Sequence, residues 1–161
     1  MNRSHLLHRL LSTKASFAPS ALRIPVGVIF AAHGAQKLFG WFGGYGLGGT
    51  GQFFDSVGLH PGHALALLAG SAEFFGGLAL VLGLLARPAA AALSFTMAVA
   101  ILAVHAGHGF FLSGNGYEYA LALLGASASL LLSGAGRWSI DAVLTNAGAQ
   151  DPTFAALAPA R

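Results

Sequence analysis

HALALLAGSAEFFGGLALVLGLL, residues 63–85, is a run of 23 positions in which Glu73 is the one carboxylate and almost everything else is apolar or small. A helix needs roughly 20 predominantly apolar residues to cross a hydrocarbon layer about 30 Å thick, so this stretch has the length of a membrane span. Working outward, three more segments read the same way: about Ser20 to Gly40, Pro88 to Phe111 and Tyr117 to Gly136. Pro61 and Gly62 precede the quoted run, Arg87 and Pro88 divide it from the next, and residues 113–116 form a tight turn. Connections that short imply antiparallel neighbours.

The whole chain supports the bilayer as solvent. Of its 161 residues 55% are hydrophobic and only 8% charged, too few for the surface of a soluble domain of this size. The net charge is +3, but the basic residues form no stripe, so nucleic acid is not an expected partner. No cysteine occurs, which excludes disulfides, thiolate metal sites and dithiol chemistry within the chain. The predicted fold is therefore an all-α integral membrane four-helix bundle.

Cytoplasmic loops collect Lys and Arg. An N-in, C-in arrangement puts Arg3, Arg9, Lys14, Arg23, Arg87, Arg137 and Arg161 inside and leaves only Lys37 toward the outside, where a Gly-rich loop joins helices one and two. Residues 1–19 read as a basic cytoplasmic segment, a surface-lying helix in preference to a transit peptide. Residues 20–144 form the membrane domain, and 145–161, rich in Ala with two Pro, a disordered tail.

Ionisable groups inside a span cost roughly 2.5 to 3.5 kcal/mol each by insertion scales, so each needs a partner or a purpose. At a rise of about 1.5 Å per residue, His33 and Lys37 stand about 15 and 21 Å above Arg23, and Glu73 lies about 15 Å below His63. His105 and His108 fall in the outer third of span three, and Glu118 opens span four at the same level. Four helices of alternating direction thus bring their polar residues to one half of the membrane. His33, Gln36 and Lys37 share a helix face by i, i+3 and i+4 spacing. The candidate site has Glu73, His33 and His105 as its reactive core, with Gln36, Lys37, His108, Glu118 and Tyr119 as ligand-binding residues.

Structural readings stand beside these. Lys37 and Glu118 are near enough to the interface to snorkel, Glu73 could be a protonated structural acid or an ion partner of Lys37 or a histidine, and His33 and His105 interhelical hydrogen-bond glue. Arg23 marks the cytoplasmic interface or holds the helix start, while Tyr117, Tyr119, Trp41 and Trp138 fit an aromatic belt. Gly46, Gly48 and Gly51 match a dinucleotide-binding pattern formally, but no strand precedes them. No Walker, zinc-protease or EF-hand spacing occurs, and two histidines at similar depth are too little to specify a haem or a metal; no metal site is expected.

The order of these pieces carries a family resemblance. Arg23-Ile24, His33-Gly34-Ala35-Gln36-Lys37-Leu38-Phe39-Gly40, Phe42-Gly43-Gly44, Phe53-Phe54, Gly58-Leu59-His60-Pro61, Ala72-Glu73-Phe74-Phe75-Gly76-Gly77, His105, Gly109-Phe110-Phe111, Glu118-Tyr119 and Ser139-Ile140-Asp141 resemble the DoxX family over about residues 22–144. The resemblance implies a four-span protein of the bacterial inner membrane that acts as an oxidoreductase or as a subunit of a redox complex. Relatives are linked to quinone-coupled thiosulfate oxidation and to oxidative or thiol-stress defence. It transfers no catalytic residue, so the site rests on spacing and depth.

Three functions remain open on these residues. The first is a quinone-linked redox subunit: quinone reduction takes up protons as well as electrons, so it needs titratable donors beside an apolar slot. Quinone would be a bound ligand rather than a resident cofactor, with the electron donor a partner subunit or the substrate. The second is a non-enzymatic anchor or assembly subunit, as a homo-oligomer or with redox partners. The third is a small-solute or proton pathway.

Overall fold

The computed structural model describes residues 16–150, with side-chain surroundings given to residue 147. The basic segment expected over 1–19 lies outside the described residues up to position 15, as does the expected tail from 151 onward. Among the described residues the chain is all helical, without strands.

Helix α1 spans Ala18–Phe39, opening with Pro19 in its first turn, where the missing N–H costs no helix bond, and closing on Gly40 at φ 73°. A 3-10 turn, Trp41–Gly43, leads into α2, Gly46–Ser56. Helix α3 is Gly62–Leu82, and α4 is Ala86–Ala100 followed by a π-helical turn at Ile101–His105 and a 3-10 turn at Ala106–His108. A loop containing the 3-10 turn Leu112–Gly114 connects to α5, Glu118–Ser133, and α6 runs Ile140–Gln150. Gly62–Leu82 and Ala86–His108 are long and apolar enough to cross a membrane; Glu118–Ser133 is apolar but shorter.

Helices α1 and α3 make the closest pair. Gly27 and Gly34 on α1 and Gly70 and Gly77 on α3 are each seven residues apart, two turns, and so each pair lies on one face. A Cβ built on Gly34 would overlap the backbone of Phe74, and one on Gly77 the backbone of Ala31. Only hydrogen at these positions lets the two backbones approach so far. The remaining core, with Phe30, Leu80, Leu93 and Leu130 at 1% exposure or less, joins α4 and α5 to this pair.

Three expectations change. The segment expected as a Gly-rich loop folds in part into α2, despite glycines at 46, 48, 49 and 51. Packing overrides helix propensity here: Gly51 sits on the backbone of His63, with 2.9 Å to Cα from an added Cβ, so α2 rests on the start of α3. The third predicted span is not one regular α-helix: a π-turn at Ile101–His105, which adds a residue ahead of His105, and a 3-10 turn at Ala106–His108 end it. The expected tail begins inside α6, which continues to Gln150.

Candidate functional site

Helices α1, α3, α4 and α5, at the end of the bundle where Lys37 lies, together with α2, line a cavity of about 900 Å³. Its wall is apolar in the main, with Phe30, Phe53, Phe54, Leu68 and Phe95 prominent, and its polar groups are His33, Lys37, Glu73, Thr96, His105, Asn115 and Tyr119. Leu68 of α3 and Phe95 of α4 are 65% and 72% exposed, so the cavity borders the protein's surroundings between these helices.

Glu73 is buried, at 2% exposure, and its Oε2 accepts a hydrogen bond and ion pair from Lys37 Nζ at 2.5 Å. This is the ion-partner arrangement that the sequence allows for Glu73. Two charges that would each be costly alone in an apolar medium compensate one another across α1 and α3. His33, one turn before Lys37, faces Tyr119 of α5 with ring centroids 6.1 Å apart. His105, on the π-turn, is bonded through Nδ1 to the backbone oxygen of Asn115 at 2.8 Å.

The structure therefore brings Glu73, His33, His105, Lys37 and Tyr119 of the sequence-derived set to one cavity, and places the other three outside its lining. Gln36 lines a smaller cavity of about 480 Å³ with Lys37, Tyr45 and Thr50, and its Nε2 donates to the Phe42 oxygen at 3.3 Å. His108 Nδ1 donates to the carbonyl of Val104, 3.0 Å away. Glu118 accepts the Leu112 N–H at 2.7 Å and so holds the loop before α5. Phe53, Phe54 and Leu59, all from the Gly-rich segment, are wall residues that the sequence reading did not assign. The Phe-Phe pair inside a glycine-rich run was the available signal. Among the described residues no group of three or more His, Asp and Glu could hold a metal ion.

A second polar cluster lies at the other end of α1. Arg23, 2% exposed, donates from Nε to the Ala135 oxygen at 2.9 Å, from one terminal nitrogen to the oxygens of Leu80, at 2.6 Å, and Val81, and from the other to that of Trp138. These are carbonyls at the end of α3 and in the segment joining α5 to α6. Asp141 of α6, 1% exposed, accepts the N–H groups of Leu85 and Ala86 at 2.8 and 3.0 Å, capping the start of α4. Burial pushes its carboxyl up from the ordinary range, opposed by those two N–H groups and by the charge of Arg23. The sequence alone marks Arg23 as an interface or helix-start residue and does not link it to Asp141.

Asp55, at the end of α2, binds both the Gly62 N–H and His60 Nδ1 at 2.8 Å through one oxygen, joining α2 to α3. The Gly62 N–H and then the His60 ring hold its pKa below the ordinary carboxylate value.

A DoxX family profile matches residues 18–106. An uncharacterized protein of Haemophilus influenzae is 38% identical over 123 residues, covering 74% of this chain and 85% of the relative. No solved structure matches. The family match begins at the first residue of α1 and ends just past the cavity's His105, so it includes the α1–α3 pair and the Lys37–Glu73 bridge: the chain belongs to the DoxX family of membrane proteins.

Proposed function

We propose that this chain is a four-span protein of the bacterial inner membrane, with both termini cytoplasmic, that binds a quinone or similar small redox-active ligand as a subunit of a redox complex. The observation that carries the reading is the cavity itself. It sets a compensated acid–base pair, two imidazoles and a phenol beside an apolar slot of about 900 Å³ that borders the surroundings between α3 and α4.

Reducing a quinone to its hydroquinone takes two electrons and two protons, so a site for it needs side chains that can hold and pass protons, as imidazole and carboxyl groups do. In this reading Glu73, His33 and His105 exchange protons with the ligand, Lys37 stabilises negative charge developing on it, and Tyr119 contacts the ring. The electrons come from a partner subunit or its substrate. The seven-to-one distribution of basic residues supports the orientation.

The test is thermal unfolding of the purified chain in lipid nanodiscs with and without a short-chain benzoquinone. A rise of about 2 to 4 °C, lost in Glu73→Gln, is expected for ligand at a large excess over its Kd. No shift with any quinone would sink the proposal.

A second reading, an anchor or assembly subunit without chemistry, is favoured by one fact: Lys37 and Glu73 already satisfy each other, so helix pairing alone would account for them. It predicts that Glu73→Gln changes stability and partner pull-down while leaving the quinone response unaltered.

A further inference from the structure

His105 contains more information than its place in the cavity. Its Nδ1 lies 2.8 Å from the backbone oxygen of Asn115. A carbonyl oxygen only accepts hydrogen bonds, so the ring nitrogen facing it must donate. Neutral imidazole has one N–H. With that hydrogen on Nδ1, the lone pair is on Nε2, which meets no hydrogen-bond partner among the described residues.

The carbonyl that sets this tautomer is itself fixed. Asn115 stands in the left-handed region, at φ 63°, and its N–H donates to the Leu112 oxygen at 2.9 Å. Gly116 N–H donates to Phe111 at 2.9 Å, and the N–H groups of Tyr117 and Glu118 to Gly109 and Phe110 at 3.1 and 2.9 Å. Glu118 closes the loop by accepting from Leu112 N–H at 2.7 Å. Glu118 is thus a positioning residue: it acts on His105 through the loop that presents the Asn115 carbonyl. On the other side of the bond, the π-turn at Ile101–His105 sets the ring's position relative to α4.

We propose that His105 is held in its Nδ1–H form and offers Nε2 to the cavity as a fixed hydrogen-bond acceptor, so that the site prefers the hydroxyl-bearing form of a redox-active ring, a hydroquinone, over the dicarbonyl quinone. This rests on the reading of the cavity as a ligand site. A quinone carbonyl set against Nε2 would oppose acceptor to acceptor, whereas a hydroquinone O–H donates to it. Lys37, which gives one of its three N–H groups to Glu73, can donate to an oxygen of either form and so does not set the preference. The cost of one mismatched polar contact corresponds to about a tenfold difference in affinity.

The experiment has two arms on the full chain in nanodiscs at pH about 8.5, above the ordinary imidazole range of about 6.5. In the first, nitrogen NMR of histidine-labelled protein, assigned with His105→Gln, reads the tautomer directly. A protonated Nδ1 and bare Nε2 are expected, and the opposite tautomer overturns the proposal.

In the second, a short-chain benzoquinone and its hydroquinone are titrated separately under anaerobic conditions. About tenfold tighter binding of the hydroquinone is expected, falling to within about twofold in His105→Phe and shrinking in Glu118→Ala. Equal affinities in the unaltered protein overturn this proposal and leave the ligand reading standing. Binding of neither form overturns both.

Discussion

The two ends of α1 put similar chemistry to different uses. At one end Arg23 is spent on the backbone: every donation it makes goes to a carbonyl, while Asp141 accepts from two N–H groups, and both side chains are almost wholly buried. At the other end Lys37 and Glu73 are spent on each other, at the wall of a large cavity. A charge that satisfies the loose ends of helices fixes their relative positions. A charge pair beside empty space fixes two helices and keeps a polar surface in contact with whatever fills that space. The first end is therefore the structural anchor, and the second is the end to which the proposed function assigns the ligand.

Substitutions should separate the two. The largest effect is expected for Arg23→Met, which leaves several carbonyls without a donor and Asp141 without its cation. A loss of about 3 to 5 kcal/mol in reversible unfolding in detergent is expected, and a change under about 1 kcal/mol would break the contrast.

At the other end, Lys37→Met and Glu73→Leu should each cost about 2 to 3 kcal/mol, because each strands a charge in an apolar setting. The double variant should recover at least half of that loss while still failing to respond to quinone. A double-mutant cycle measures the recovery, and simple additivity would show that the bridge is not a coupled pair.

Asp141→Asn keeps one acceptor for the start of α4 but loses the charge beside Arg23, for an expected cost of about 1 to 2 kcal/mol. Hydrogen exchange at Leu85 and Ala86 should speed up more than at residues lining the cavity.

The smallest effect concerns Asp55, which is exposed. Its pKa is lowered in the folded state, so its contribution is present above the unfolded carboxylate value of about 3.9 and is lost as pH falls through the lower folded one. Protection of the Gly62 amide from exchange should fall in that window and be pH-independent there in Asp55→Asn.

What the sequence made legible follows from the physics of each signal. Long apolar runs are readable because a span needs length and composition alone, so the helices at Gly62–Leu82 and Ala86–His108 were expected within a few residues of their observed ends. Depth along a helix is readable from rise per residue, which is why Glu73, Lys37, His33 and His105 are expected in one half of the membrane. Azimuth is harder to read. It depends on the phase of the helix, and the π-turn before His105 shifts that phase without any local warning. Gln36 and His108 share that half, but Gln36 lines the smaller cavity and His108 neither. Backbone partners are invisible in sequence altogether, so Arg23 and Asp141, whose role is to bind carbonyls and N–H groups, could not be paired from their identities. Helix α2 was hidden by its glycines, whose unfavourable propensity is offset only once α3 is there to pack against.

The π-turn also bears on how such a chain can diverge. A π-helical turn is what one surplus residue looks like inside an α-helix. Deleting a single codon anywhere in 101–104 would restore a regular helix and rotate everything after it by about 100°, since successive α-helical residues are that far apart. His105 would turn off the Asn115 carbonyl while the two helices packed through Gly34 and Gly77 stayed as they are. A relative one residue shorter at this point would then keep the bundle and lose the imidazole's position in the cavity wall.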